Sequence, residues 1–224
     1  MTSRAKKAAL LFFSMIRMRK PLVLVLAVLP LAMACAHPSR QPTRAQTLYH
    51  EGQAFLSQGQ PHEARARFSE SLALCREQND PRGIAHNLNE IGILYTQQRR
   101  CKEARACFRE AEALYRRLGM DAEVSKCLNN RALTFVLEKS YDRAVEAYEG
   151  LLAWDESTGN HLGRAITYTN LGALYETRLD DPTGALEAYE KALTLLNALG
   201  DASRGETVKE RLKRLQNAWP ALEE

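Results

Sequence analysis

A small residue recurs every 40 positions along most of this chain of 224 residues. The four residues are Gly52, Gly92, Ala132 and Gly172. An aromatic residue follows each one three positions later, and an alanine and an aromatic residue spaced by four follow further on. These residues are Phe55, Tyr95, Phe135 and Tyr175, and then Ala64 with Phe68, Ala104 with Phe108, Ala144 with Tyr148 and Ala185 with Tyr189. Such self-similarity predicts a solenoid, in which each repeat buries its apolar face against its neighbour.

Each repeat contains two stretches with apolar residues at helical spacing. Between Asn87 and Leu118, the first set is Leu88, Ile91, Gly92 and Tyr95, and the second set is Ala104, Phe108, Ala111 and Leu114. Residues at these spacings share one face of an α-helix. We therefore expect each repeat to form a pair of helices, in which the small residue lets the second helix approach the first one closely.

Residues at the predicted helix ends agree with this division. Prolines occupy three first helical positions, where a missing N–H group costs nothing: Pro61, Pro81 and Pro182. Glycines follow three second helices as C-caps: Gly119, Gly159 and Gly200. Asp80 and Asp181 are the expected N-caps. The fourth repeat has one additional residue, which we place in the turn at Asp180, Asp181 and Pro182.

A last amphipathic pattern follows the four repeats. It places Val208, Leu212, Leu215 and Trp219 on one face. A terminal repeat exposes an apolar flank unless another element covers it, so we expect this segment to form a capping helix. The sequence therefore predicts nine helices, which are four pairs and one cap.

The repeated residues resemble the tetratricopeptide repeat family over roughly Ala45 to Leu199, and Asn170 to Leu193 is the closest match. The period of 40 is similar to the extended repeats of kinesin light chain. This resemblance implies an all-α fold, a right-handed helical-repeat solenoid that binds other proteins. The implied units are residues 45–80, 81–120, 121–160 and 161–200, followed by a capping helix and tail at 201–224.

Residues 1–34 are predicted to be an export signal. The apolar run from Pro21 to Ala34 follows a basic start, and with 14 residues it is shorter than the ~20 that a membrane-spanning helix needs. Met18 is an alternative start of the chain, because a compact signal begins there. The polar, proline-containing residues 35–44 would then form a flexible tether.

The end of this signal, Leu31 to Cys35, resembles a bacterial lipobox. The resemblance implies acylation of Cys35, and the following Ala36 then favours the periplasmic face of the outer membrane of a Gram-negative bacterium. A lipobox usually has leucine three places before the cysteine, where this chain has Ala32. Ordinary cleavage after Ala34, which would leave a free thiol at Cys35, is therefore the alternative.

The net charge of +4 arises from the predicted signal. Six of the 31 basic residues lie in residues 1–34, which contain no acidic residue, so 25 basic and 27 acidic residues remain elsewhere. No basic field of the kind that attracts nucleic acid is left on the rest of the chain. We therefore expect no nucleic-acid partner.

Motifs for catalysis are absent from the sequence. It contains no P-loop, glycine-rich dinucleotide turn, HExxH or Gly-x-Ser-x-Gly motif, and we predict neither enzymatic activity nor a cofactor or metal. Four cysteines follow Cys35: Cys75, Cys101, Cys107 and Cys127. We interpret them as small buried hydrophobic residues. A disulfide or redox role for Cys75, Cys107 and Cys127 is the alternative, because an exported compartment permits disulfides.

The resemblance places the first helix of each pair on the concave side of the solenoid. Residues of these helices that do not serve packing are candidates for contact with a partner: Tyr49, His50, Asn89, Glu90, Lys126, Asn129, Asn130, Leu133 and Asn170. The carboxamide of asparagine both donates and accepts, so a row of asparagines can hold the backbone of an extended peptide. In the family, an asparagine just before the small residue often has this role, which implies it for Asn130 and Asn170.

These observations give two hypotheses of function. The first is an exported, lipid-anchored scaffold or assembly factor, which binds a peptide or helix of a partner protein in its concave groove and contacts the membrane through Cys35. The second is a cytoplasmic regulator that responds to peptides, since extended repeats also occur in such sensors. The predicted signal at residues 1–34 favours the first hypothesis.

Overall fold

The computed structural model describes residues 42–219, and all regular secondary structure within that range is helical. The predicted signal, Cys35 and most of the tether lie outside the described residues, and so does the tail after Trp219. Nine α-helices follow one another, which confirms the predicted number for this part of the chain: α1 (Arg44–Ser57), α2 (Pro61–Glu77), α3 (Pro81–Gln97), α4 (Cys101–Arg117), α5 (Asp121–Leu137), α6 (Tyr141–Ser157), α7 (His161–Leu174), α8 (Pro182–Leu199) and α9 (Ala202–Ala218).

The helices are stacked in chain order. Each helix packs against the next one, and the first helices of successive pairs, α1, α3, α5 and α7, also contact one another. Contact within the layer of first helices is expected when that layer is the inner side of a curved stack. Within residues 42–219, no helix has both the length and the apolar character that crossing a bilayer requires.

The recurring small residues lie where two helices of a pair cross. A methyl group placed on Gly92 would come within 2.6 Å of Cε1 of Phe108, and one on Gly172 within 2.6 Å of Cε1 of Tyr189. The Phe108 ring is fully buried and fills this crossing. The sequence pattern of a small residue and a distant aromatic residue therefore describes one contact, repeated in successive pairs.

Capping residues fix the helix ends as expected. The side chains of Asp80 and Asp181 accept hydrogen bonds from the backbone N–H groups of Gly83 and Gly184. Gly200 ends α8 in the left-handed conformation, with φ of 70°, which glycine adopts without steric cost. In three other connections the same conformation is taken by residues that sequence reasoning did not single out: Asn79, Arg99 and Lys139. Asp180, which belongs to the predicted turn of the fourth repeat, also adopts it.

The additional residue of the fourth repeat lies earlier than predicted. It is absorbed by a π-helical turn at Tyr175–Leu179, which continues α7. As a result, the backbone N–H of Asp181 bonds to the carbonyl of Tyr175, six residues before it, whereas the N–H of Arg100 bonds to Tyr95, five before it. A π-helical turn accommodates one residue more than an α-helical turn. The connection to α8 thus keeps the shape of the other connections.

One assignment to the C-terminal helix was wrong. Val208, Leu212 and Leu215 of α9 are buried against α8, as predicted, but Trp219 is 38% exposed. The helix ends at Ala218, and the backbone of Trp219 is no longer helical, with φ of −129° and ψ of 72°. Its side chain therefore no longer follows the helical spacing that would have brought it to the buried face.

Candidate protein-binding groove

The nine predicted groove residues all lie on first helices, namely α1, α3, α5 and α7. The first helices contact one another, so their free faces form one surface, which we call the groove. Six of the nine side chains are half-buried and three are exposed, the exposed ones being His50, Lys126 and Leu133. Exposed or half-buried polar side chains at one surface are available to a partner without rearrangement of the core.

Asparagines of neighbouring repeats are paired across the groove. The side-chain amide of Asn170 donates a hydrogen bond of 2.8 Å to Oδ1 of Asn129. In the same way, Asn130 donates to Oδ1 of Asn89 over 3.4 Å. The predicted row of asparagines therefore consists of two pairs, each joining helices one repeat apart. Pairing fixes the orientation of each carboxamide before a partner arrives.

Each asparagine pair keeps groups that can bond to a partner. A carboxamide offers two N–H donors and an oxygen with two lone pairs, and the bond between Asn170 and Asn129 uses one donor and one lone pair. This bond involves neither the amide nitrogen of Asn129 nor the amide oxygen of Asn170. The pair thus keeps a donor on Asn129 and an acceptor on Asn170 beyond this bond, and a peptide group has the complementary acceptor and donor.

Charged groups lie where the second and third repeats of the groove meet. Asn89 donates to Oε1 of Glu90 over 3.4 Å. Burial raises the pKa of Glu90, while the bond from Asn89 and the nearby charge of Lys126 act in the opposite direction. Lys126 itself is exposed, and its Nζ atom lies 3.7 Å from Oε1 of Glu123. The groove therefore presents one carboxylate and one ammonium group near each other.

The first repeat contributes aromatic rings. The Tyr49 ring lies 5.8 Å from the His50 ring and 6.3 Å from the His86 ring, measured between centroids. Burial raises the pKa of Tyr49 to about 12, and it lowers the pKa of His86. Both groups are therefore neutral at pH 7, and this end of the groove offers flat, uncharged surfaces. Neither Tyr49 nor His50 contacts the pair formed by Asn129 and Asn170, which lies two repeats away.

Several buried polar residues were missed by sequence reasoning. Asn87, on α3, is only 1% exposed, and its amide donates to the carbonyl oxygen of Gly83 and to Oγ of Ser71, each over 2.9 Å. Asp155, on α6, is fully buried and accepts a bond of 2.8 Å from Asn160. Asn87 precedes the packing residue Leu88 directly. For both Asn87 and Asp155, the sequence signal that could have revealed a buried polar group was a polar residue at a position that packs between repeats.

A basic surface was also missed, because the sum of charges does not reveal local concentration. It lies between α4, α5 and α6 and is lined by Phe135 and five basic residues: Lys102, Arg105, Arg109, Arg131 and Arg143. The guanidinium groups of Arg105 and Arg143 lie 4.8 and 4.4 Å from the centre of the Phe135 ring. Arg105 also forms two hydrogen bonds with Glu138, of 2.8 and 3.1 Å. By helical periodicity, Arg131 and Phe135 lie on the side of α5 opposite Asn129 and Leu133.

The four cysteines of the described range are free thiols. Cys75, Cys101 and Cys127 are buried and Cys107 is half-buried. Burial raises the pKa of the Cys127 thiol to about 12, so that it is protonated at neutral pH. These environments agree with the interpretation of the cysteines as packing residues. No group of three or more potential metal ligands occurs among residues 42–219.

Stacked helix pairs with small residues at each crossing define a helical-repeat solenoid of the protein-binding class. The Tetratricopeptide repeat family model matches residues 43–117 and 123–198. The chain belongs to the tetratricopeptide repeat family, which confirms the resemblance drawn from the repeats. Proteins of this family are generally interaction scaffolds without catalytic activity. A comparison with curated proteins finds no significant match.

Solved structures of other proteins have a similar fold. The apo form of RapI has a TM-score of 0.70 and 14% identity, and the match covers 80% of this chain and 65% of RapI. BtubC from P. vanneervenii has a TM-score of 0.55 and 21% identity, and the match covers 75% of this chain and 78% of BtubC. A third structure is that of a putative kinesin light chain from Podospora anserina with nearly identical repeats. It has a TM-score of 0.52 and 14% identity, and the match covers 79% of this chain and 97% of that protein. At these identities the likeness concerns the fold.

Proposed function

We propose that this tetratricopeptide repeat protein is a scaffold that binds an extended segment of a partner protein in the groove. The observation that carries the proposal is the bond of 2.8 Å between Asn170 and Asn129, which uses neither the amide nitrogen of Asn129 nor the amide oxygen of Asn170. A peptide backbone presents the complementary acceptor and donor in every residue. Asparagine carboxamides can therefore hold it with little dependence on its sequence.

Selectivity for the partner would come from the other groove residues. Glu90 and Lys126 are near each other in the second and third repeats, so they favour a segment that carries both signs of charge. Leu133 is 40% exposed, and it gives an apolar side chain of the partner a surface against which to pack. The rings of Tyr49 and His50 extend the contact surface at the first repeat. Binding of this kind requires no catalysis, and we propose none.

A photo-crosslinker placed in the groove tests this function directly. We would introduce it at Leu133 in the groove and, as a control, at Leu118 at the end of α4, which is 36% exposed. Crosslinking in living cells, followed by mass spectrometry, should give a protein adduct from position 133 and not from position 118. Adducts only from position 118, or from neither position, would contradict binding in the groove.

We also propose that the protein is exported and acylated at Cys35, and that it acts at the periplasmic face of the outer membrane. The support is the sequence of residues 1–35, with a basic start, an apolar run and a lipobox-like end. More than one acyl chain gives stable anchoring, whereas a single chain binds a bilayer only marginally. The segment from residue 36 to the first helix at Arg44 would set the reach of the groove from the membrane.

Fractionation separates this location from the alternative of a cytoplasmic regulator, with which the fold match to RapI is equally compatible. Globomycin, which blocks processing of lipoprotein signals, should cause the unprocessed precursor to accumulate. Replacement of Cys35 by serine should release the protein from the membrane fraction. A soluble cytoplasmic protein with an intact N-terminus would contradict export and favour the regulator.

A further inference from the structure

The basic surface between α4, α5 and α6 surrounds a depression of about 510 Å³. Ligand pockets in proteins have volumes of about 300–1,000 Å³, so a small molecule or a headgroup fits into it. The lining consists of one aromatic ring, one lysine and four arginines, and among residues 42–219 no carboxylate belongs to it. Positive charge is therefore concentrated here, although the chain after the predicted signal has slightly more acidic than basic residues.

The other repeats show that the fold does not require these charges. One repeat earlier, the equivalents of the five basic residues include only one arginine: His62, Arg65, Ser69, Ile91 and Glu103. One repeat later, allowing for the additional residue, the equivalents include two acidic residues and no basic one: Asp142, Val145, Glu149, Leu171 and Gly184. The aromatic position is shared, with Tyr95 and Tyr175 as equivalents of Phe135. The ring thus belongs to the architecture, while the charges are particular to this place.

Two of the five basic residues are already paired within the fold. Arg105 bonds to both carboxylate oxygens of Glu138, over 2.8 and 3.1 Å. Arg131 forms an ion pair with Glu112. Both arginines are half-buried. Their charges are therefore balanced by the protein itself, and the other three basic residues decide what the depression attracts.

The other three basic residues are exposed: Lys102, Arg109 and Arg143. Within residues 42–219, they take part in no ion pair. The guanidinium group of Arg143 is placed by the Phe135 ring, 4.4 Å from its centre. Like charges gathered around one depression repel one another. An anion bound among them would replace this repulsion with attraction.

The arrangement of the three cations favours a phosphate group over a carboxylate. Lys102 and Arg109 belong to α4, whereas Arg143 belongs to α6, so the donors come from two helices. A phosphate monoester carries a charge of about −1.5 to −2 and has three strong acceptor oxygens, which point in different directions. A carboxylate has a single charge and two oxygens in one plane, and Glu138 uses both of them on one guanidinium group.

We propose that the basic surface is a binding site for a phosphate monoester group, which Lys102, Arg109 and Arg143 hold. The group belongs to a small soluble ester or to a lipid headgroup, since the two share this chemistry. The basic surface lies on the side of α5 opposite the groove, so the site goes beyond the proposed function and leaves the groove open to a partner. A lipid headgroup bound here would turn the groove away from the bilayer.

The test uses the full-length chain and sn-glycerol 3-phosphate, a soluble phosphate monoester. Isothermal titration should show one saturable site, and succinate, which carries a similar charge on two carboxylates, should bind about tenfold more weakly. Arg109→Gln and Arg143→Gln should each weaken the binding of glycerol 3-phosphate about tenfold, as the loss of one charge-assisted hydrogen bond implies. Arg117→Gln, at an exposed position of α4 outside the basic surface, should leave the affinity unchanged.

Vesicles distinguish the two sources of the phosphate group. Phosphatidylcholine vesicles that contain phosphatidic acid, whose headgroup is a phosphate monoester, should displace glycerol 3-phosphate if the ligand is a lipid. Vesicles of phosphatidylcholine alone are the control. Displacement by the first vesicles only identifies a lipid headgroup, and binding without displacement identifies a soluble ester. Both results support the site.

Circular dichroism verifies the helix content of each variant, and Lys102→Gln, at an exposed position, provides the same comparison if Arg143→Gln loses helicity. Absence of saturable binding, or equal affinities for glycerol 3-phosphate and succinate, would overturn the proposal. Binding that survives the loss of both Arg109 and Arg143 would also overturn it, because basic residues elsewhere, such as those of residues 1–34, would then hold the anion. None of these measurements involves the asparagine pairs, so the test of the groove remains independent.

Discussion

Asn170 and Asn129 are joined by a side-chain hydrogen bond of 2.8 Å, although they are separated by 41 residues of chain. The period of 40 places equivalent residues of α5 and α7 next to each other, and a shift of one residue lets the two carboxamides meet. Asn130 and Asn89 repeat the arrangement one unit earlier. A periodic sequence has thus produced a periodic line of polar groups, and this line is the basis of the proposed function.

The glycine at the helix crossing of the second repeat should tolerate no added methyl group. We predict that Gly92→Ala lowers the free energy of unfolding by about 1–3 kcal/mol, because the new Cβ would meet the buried Phe108 ring. Gly150 on α6 is the matched control, since it is exposed and has no neighbour within 4 Å of an added Cβ. Gly150→Ala should raise the free energy of unfolding by about 0.5–1 kcal/mol, through higher helix propensity. Urea denaturation measures both, and equal effects would refute the packing role of Gly92.

Arg105 should not be replaceable by lysine. Its guanidinium group bonds to both carboxylate oxygens of Glu138 and lies against the Phe135 ring. Lysine cannot form the two-pronged bond or stack in the same way. We expect Arg105→Lys to reduce the free energy of unfolding by about 1 kcal/mol. Arg109→Lys, at an exposed neighbouring position of α4, should change it by less than about 0.5 kcal/mol, and a similar loss in both variants would contradict this account.

Asp155 should make stability depend on pH. Burial raises the pKa of this carboxyl group above its ordinary value of 3.8, and one of its oxygens has no partner among residues 42–219. The folded state then binds the proton more tightly than the unfolded state. The contribution of Asp155 is therefore most favourable below pH 3.8 and is lost as the pH rises through the folded-state pKa.

Asp155→Asn removes this ionisation and tests the prediction. The stability of the variant relative to the unchanged protein should increase between pH 4 and pH 7, by about 1.4 kcal/mol for each unit by which the pKa is raised. Thermal unfolding at a series of pH values measures the difference. Glu149→Gln, an exposed carboxylate on the same helix, serves as the control. A stability difference for Asp155→Asn that is constant with pH would show that the carboxyl group is not perturbed.

The four cysteines after Cys35 should all react as thiols. In denaturant without any reductant, an alkylating reagent should modify Cys75, Cys101, Cys107 and Cys127 completely, because each is free in the folded protein. Peptide mass spectrometry identifies the modified residues. A residue that reacts only after reduction would support the disulfide hypothesis and contradict the packing role of that cysteine.

The sequence was sufficient for the fold because the determining contacts repeat. The contact between Gly92 and Phe108 occurs in four versions, so its spacing stands out from chance, and the helix ends carry proline, glycine and aspartate signals of their own. The additional residue of the fourth repeat was placed wrongly, since such a residue can be absorbed anywhere between two fixed packing positions, and here the π-helical turn at Tyr175–Leu179 absorbs it. Trp219 was misplaced because periodicity alone does not show where a helix ends.

The site was less predictable than the fold. The positions of Asn129 and Asn170 on a common surface followed from the repeat, but their mutual bond did not, because side-chain pairing depends on the distance between helices. Asn87 and Asp155 were overlooked because their burial results from packing between repeats. A cavity lined by Cys75 and Asn87 lies where residues differ between repeats, among them Cys75, whose equivalent in the next repeat is Tyr115. Such differences between repeats carry the individuality of a solenoid, while the shared pattern carries its architecture.

The central claim is that the asparagine pairs hold the partner, and partner capture by a double variant tests it most directly. Asn130→Ala with Asn170→Ala breaks both pairs at once, and Asn217→Ala, at an exposed position of α9, is the control. The partner identified by crosslinking at position 133 would be titrated against each protein, with circular dichroism to verify the helix content. We predict that the double variant keeps its helicity and loses capture, while Asn217→Ala retains both. Unchanged affinity in the folded double variant would contradict the claim and show that another face binds the partner.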